Sequence, residues 1–142
     1  MANQEGKRNV WVADLASSNF AARQLITYIA DDGQDIGDIT WTPDGQAVAY
    51  VHGGDSEFPS RPDPNPALLT DGAEHTIFIV PVEGGKLHRL DAGRSPAVLP
   101  DGKTVALVSK EGIWSISLAD DSAKPVLIFP CAWNSGAACV VA

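Results

Sequence analysis

Lysine and arginine are scarce in this chain, 10 against 18 aspartates and glutamates, and the net charge of −8 comes with no basic cluster. Nucleic acid and anionic membrane are therefore disfavoured as partners, because both are gripped through grouped Lys and Arg. No apolar run approaches the roughly 18 residues of a membrane-spanning helix. The start, Met1-Ala2-Asn3-Gln4-Glu5-Gly6-Lys7-Arg8, leads into a strand pattern without an apolar export core, so the chain as written reads as cytoplasmic. Cysteine is nearly absent. Cys131 and Cys139 stand close together near the end, open to a small-loop disulfide or to two reduced thiols, and without a nearby histidine they do not make a zinc site.

Reactive constellations are missing as well. The chain has no Gly-x-Ser-x-Gly elbow, no glycine-rich phosphate loop and no His-Glu-x-x-His, and His52, His75 and His88 are spread over separate strand patterns. No catalytic residue, no cofactor site and no metal site is expected, and the chain by itself is not expected to be an enzyme. No stretch shows a long helical period either, while Val, Ile, Trp and Thr recur in short runs broken by Gly and Pro. The composition, 44% apolar, suffices for one packed, almost helix-free domain.

What the sequence does contain is a repeat. Trp41-Thr42-Pro43-Asp44-Gly45 and Val98-Leu99-Pro100-Asp101-Gly102 each lead from one apolar strand into another. In such a turn Pro presets its own φ, Asp bonds back to the backbone and Gly supplies the positive φ that reverses the chain. Pro43, Asp44, Gly45, Pro100, Asp101 and Gly102 are thus read as structural turn residues. A second pattern places an aromatic third: Asn9-Val10-Trp11, Thr76-Ile77-Phe78 and Gly112-Ile113-Trp114. Trp11, Trp41, Phe78 and Trp114 are read as structural aromatics. The last two aromatic segments begin 36 positions apart and Trp133 follows Val98 by 35, the length of a small four-stranded unit.

The expectation is an all-β fold, a partial β-propeller of about three four-stranded blades that is not closed on its own. Strands are placed near 9–15 and 23–28, then 38–42, 46–52, 75–82 and 86–90, then 95–99, 103–109, 112–118 and 124–129. Residues 1–129 form the partial propeller, and 130–142 are a divergent or frameshifted start of a further blade, with Asn134-Ser135-Gly136 in place of the Pro-Asp-Gly turn. Open blade faces are expected to drive self-association. An insert at 53–74, with four prolines between Pro59 and Pro66, is either a functional excursion or a passive connector. Asp31-Asp32-Gly33-Gln34-Asp35-Ile36-Gly37-Asp38 invites calcium, but the ligand spacing of a calcium loop is absent and a tight acidic turn is favoured.

These segments, from Arg8-Asn9-Val10-Trp11 through Asp31 to Asp38, the Trp41 to Gly45 turn, Gly84-Gly85-Lys86-Leu87-His88-Arg89-Leu90 and Ser95-Pro96-Ala97-Val98, together resemble the N-terminal propeller of bacterial prolyl oligopeptidase-family serine peptidases. The dipeptidyl- and acylaminoacyl-peptidase-like members are the nearest in character, and the resemblance runs to about Phe129. It implies a propeller that gates peptide substrates toward a C-terminal α/β-hydrolase domain, which carries the whole catalytic triad and is absent from this chain. That hydrolase domain and a peptide are the partners implied. No two glutamates are adjacent, so the amine-holding pair of dipeptidyl peptidases has no counterpart. Members of the family usually carry an export signal and seven or eight blades, so the chain reads as truncated at both ends. The Trp-x-Pro-Asp-Gly hairpin is shared by the periplasmic propeller of the Tol-Pal system, and a stand-alone binding or scaffolding protein of that kind is the alternative.

Overall fold

A computed structural model describes residues 8–29, 32–54, 68, 70, 74–109 and 111–131 of the chain. Most of the proline-rich insert and the segment 132–142 lie outside the described residues. Those that are described fold into ten antiparallel strands, with no helix among them. β1 (Trp11–Ala13) and β2 (Ala22–Gln24) form a two-stranded sheet. β3 (Ile36–Trp41), β4 (Ala47–His52), β5 (Thr76–Pro81) and β6 (His88–Ala92) follow as a four-stranded meander. β7 (Arg94–Val98), β8 (Thr104–Ser109), β9 (Gly112–Ser117) and β10 (Val126–Pro130) repeat that order in a second one.

Each strand overlaps a segment expected from the sequence, and the differences have local causes. β6 begins at His88 rather than at 86, because Gly84 and Gly85 hold positive φ angles of 94° and 136° in the preceding turn. β3 reaches back to Ile36 because a bulge between Gly37 and Thr40 lets the strand bend and pair again, Ile36 opposite His52. β2 is shorter than expected, its ladder ending at Gln24 even though the Leu25 N–H still donates to the Val10 carbonyl at 2.8 Å.

The central sheet is buried on both faces, which is why β4 is apolar at nearly every position. Val48, Tyr50 and Val80 pack on one side against Val10 and Ile26 of the β1–β2 layer. Val51 and Ile77 pack on the other against Val105, Leu107 and Ile116 of the second sheet. Tyr50, Ile77 and Leu107 are fully enclosed, and burying a side chain of that size contributes about 1.5–3 kcal/mol. Three layers are thus stacked in chain order around two apolar seams.

Gly93 alone connects β6 to β7 across the second seam. A Cβ there would stand 2.8 Å from Leu107 Cδ1 and 2.9 Å from the Val108 carbonyl oxygen, so the bare backbone allows the two sheets to approach. Its N–H donates to the His75 carbonyl at 2.8 Å. At the far end of the second sheet Cys131 is disulfide-bonded, and its N–H donates to the Glu111 carbonyl at 3.0 Å. Cys139 lies outside the described residues.

Candidate functional site

Two sets of residues named from the sequence are turns, and both reverse the chain as the local chemistry requires. Gly45 takes φ 69° and donates to the Thr42 carbonyl at 2.9 Å; Gly102 takes φ 65° and donates to the Leu99 carbonyl at 2.9 Å. Behind Pro43, Asp44 Oδ1 accepts the Thr42 hydroxyl at 2.6 Å and the Gln46 N–H at 3.0 Å. Behind Pro100, Asp101 accepts the N–H groups of Lys103 and Thr104 at 2.8 and 3.0 Å and the Thr104 hydroxyl at 2.8 Å. These bonds favour the charged carboxylates: the Thr42 hydroxyl leads in holding Asp44 below its ordinary value, and the Lys103 N–H leads for Asp101.

The aromatics divide by their neighbours. Phe78 faces the first seam and Trp114 the second, each packing on the layer that precedes its own sheet. Trp11 occupies the same position in its motif but stands 46% exposed, and Trp41, the counterpart of the seam residue Val98, is 52% exposed. The Trp114 indole N–H is buried without a hydrogen-bond acceptor among the described residues.

Another constellation gathers where β3 and β4 meet the β1–β2 layer, at the base of the proline-rich insert. Tyr28 stacks on His52 with ring centroids 4.6 Å apart, and its hydroxyl lies 3.1 Å from that of Tyr50. Phe78 closes the group, 5.7 Å from the Tyr50 ring. Asp32 Oδ2 lies 3.3 Å from His52 Nε2, and the Tyr28 N–H is held by Asn9 Oδ1 at 2.7 Å. Beside it, Arg8 Nε meets the buried Asp35 carboxylate at 3.0 Å. The backbone of Asp35 exchanges bonds with Gly53 and Gly54 at 2.9 and 3.0 Å, and Gln34 Oε1 accepts the Gly54 N–H at 2.9 Å. The first residues of the insert are therefore tied to the acidic stretch.

The acidic stretch does not converge. Asp32 turns to His52, Asp35 to Arg8, and Asp38 crosses to the second sheet, where Oδ2 accepts the Ser95 N–H at 2.9 Å. Among the described residues no three His, Cys, Asp or Glu side chains are grouped to hold a metal; Asp31 lies outside them.

Burial pushes the His52 imidazole below its ordinary value against the opposing pull of Asp32, so at neutral pH it is uncharged. Burial likewise raises both Tyr28 and Tyr50, which keep their protons. No serine, threonine or cysteine hydrogen-bonds to His52 or His88 among the described residues. The cluster is an aromatic wall with one polar edge, formed by Asp32 and His52. The contacts join residues up to 28 positions apart, Tyr50 to Phe78, and no local spacing announces them.

A second concavity, a groove of about 460 Å³, opens between the β6 edge and the β9–β10 connection. Leu87, Leu90 and Ile116 line it together with Lys86, Arg89 and Asp120. His88 Nδ1 stands 3.5 Å from Asp121 Oδ1 at its rim. The chain matches no family model and no curated protein sequence.

Proposed function

We propose that the two four-stranded sheets are successive blades of a β-propeller, and that the chain is a non-catalytic segment of a serine peptidase that gates peptides toward an α/β-hydrolase domain. The observation that carries the repeating-blade reading is a duplicated bulge. Asp38 and Ser95 are 57 residues apart, the same interval that separates Pro43 from Pro100. Both sit at a register shift in the first strand of their sheet, at φ 48° and 50°. The Asp38 carboxylate bonds the Ser95 N–H, so equivalent positions of neighbouring units are linked directly. The family assignment rests on the sequence resemblance alone.

Sequencing the DNA around the coding segment tests the assignment. An uninterrupted frame leading through further Pro-Asp-Gly repeats to a Gly-x-Ser-x-Gly elbow supports the peptidase reading. A gene that closes at Ala142 and yields a ligand-binding oligomer supports the stand-alone scaffold of the Tol-Pal kind instead. Release of chromophore from a chromogenic dipeptide by the purified chain would overturn both.

A further inference from the structure

The groove between β6 and the β9–β10 connection has no part in the function proposed above. Its volume of about 460 Å³ lies within the range of small-molecule sites. It continues the second seam: Ile116 belongs to the packed seam, Leu90 and Leu118 lie against it, and all three also line the groove. Packing thus fixes the apolar part of the lining.

The walls are tied down as well. His88 Nδ1 on β6 and Asp121 Oδ1 on the β9–β10 connection stand 3.5 Å apart, which joins the two sheets beside the groove. Within the connection, Asp120 Oδ1 accepts the Ser122 N–H at 2.8 Å and the Ser122 hydroxyl at 2.6 Å, and the Ala123 N–H donates to the Asp120 carbonyl at 3.0 Å. At its start, the Leu118 N–H donates to the Lys103 carbonyl at 2.7 Å.

The charged lining balances, Lys86 and Arg89 against Asp120 and Asp121. Arg89 is bound to Glu74, and Asp121 stands beside His88. Lys86 and Asp120 have no ion-pair partner among the described residues. The Ser122 hydroxyl leads in holding the Asp120 carboxyl below its ordinary value, so at neutral pH it is charged. One cation and one anion are therefore left over beside an apolar surface.

We propose that this groove binds a small zwitterion with an apolar body, its carboxylate on Lys86, its ammonium on Asp120 and its side chain against Leu87, Leu90 and Ile116. An apolar α-amino acid and a short peptide of such residues share this chemistry. The proposal stands on the groove alone and is independent of the propeller and peptidase readings. Charge selects the class. An apolar acid satisfies Lys86 but brings another negative charge to Asp120 and Asp121, and an apolar amine satisfies Asp120 but meets Lys86 and Arg89. A ligand with both groups leaves the balance unchanged. A zwitterion without a side chain forgoes the apolar contact from which most of the affinity of such a site comes. The two sources differ in reach, since a dipeptide extends up to about 7 Å and a single amino acid about half of that.

Calorimetric titration of the full chain with L-leucine and with L-leucyl-L-leucine tests the proposal. Saturable binding of at least one is expected, and the tighter of the two identifies the source. Amide chemical-shift changes are expected to centre on β6 and the β9–β10 connection. Isocaproate, which is leucine without its amine, isoamylamine, which is leucine without its carboxylate, and glycine are each expected to bind at least about threefold more weakly than leucine. Lys86→Gln and Asp120→Asn are expected to weaken the zwitterion about three- to tenfold, the worth of one charge-assisted bond at an exposed rim. Their Tm is expected to stay unchanged, because Lys86 is exposed and Asn keeps an acceptor for Ser122. Lys86→Arg is expected to retain binding, and Lys86→Gln to leave isoamylamine unweakened. No saturable binding of either zwitterion, shifts centred elsewhere, acid or amine bound as tightly as leucine, or full affinity in both charge-removing variants overturns the proposal. None of these outcomes bears on the repeating units.

Discussion

Asp38 combines a left-handed backbone with a bond between sheets, and substitutions separate the two. Asp38→Gly keeps the φ of 48° at no steric cost but loses the acceptor for Ser95, whereas Asp38→Ala loses both. Urea melts are expected to rank the variants with Asn closest to the parent, Gly next and Ala lowest, the last by about 1–2 kcal/mol. His52 adds a pH dependence. Its folded value lies below the ordinary one, so between the two the unfolded chain binds a proton that the folded chain refuses, and stability falls as pH drops below about 6.5. His52→Phe keeps a ring against Tyr28 and is expected to flatten Tm between about pH 5 and 7. Asp44 and Asp101 act at lower pH: their depressed values contribute stability above the ordinary carboxylate range that is lost as pH falls through the folded values.

At the scale of the element, strands and hairpins were legible because their causes are local. An apolar run, a Pro-Asp-Gly turn and a second apolar run carry their own instructions, so β3 to β4 and β7 to β8 stand close to where the residues place them. Gly102→Ala is expected to cost about 1–2 kcal/mol in a thermal melt, since φ 65° crowds any Cβ while nothing nearby would contact it. A loss far below that would show that the turn relaxes to another type. The bulges at Asp38 and Ser95 were not legible, because neither residue is a glycine and the reason for the bend is a bond to a different sheet. The cluster of Tyr28, Tyr50, His52 and Asp32 was hidden for the same reason. Tyr50 and His52 come from β4, Tyr28 and Asp32 from the stretch before β3, and tertiary packing alone brings the two pairs together.

For the whole molecule, the seam between the two four-stranded sheets is the most sensitive place. Gly93→Ala forces Leu107 or the Val108 carbonyl to move, and a loss of about 1–3 kcal/mol is expected in chemical denaturation, with a normal melt arguing that the seam yields. β10 is the opposite case: Val126, Leu127, Ile128 and Phe129 are all exposed on an edge strand without a charge. Ile128→Lys is expected to raise solubility at unchanged Tm, because a charge on an edge blocks sheet-to-sheet pairing.

The connections between strands differ greatly in length, and this sets a time order for the two sheets. In the second sheet β8 and β9 are separated by residues 110 and 111 alone, so its pairings close over short chain distances. In the first, residues 53–75 lie between β4 and β5, and their ends must meet before β4 can find β5. Closing the longer loop costs more chain entropy and slows the search. The second four-stranded sheet is therefore expected to form first and the central sheet to condense on its face; Leu107→Ala should slow refolding, while Ile79→Ala should chiefly hasten unfolding.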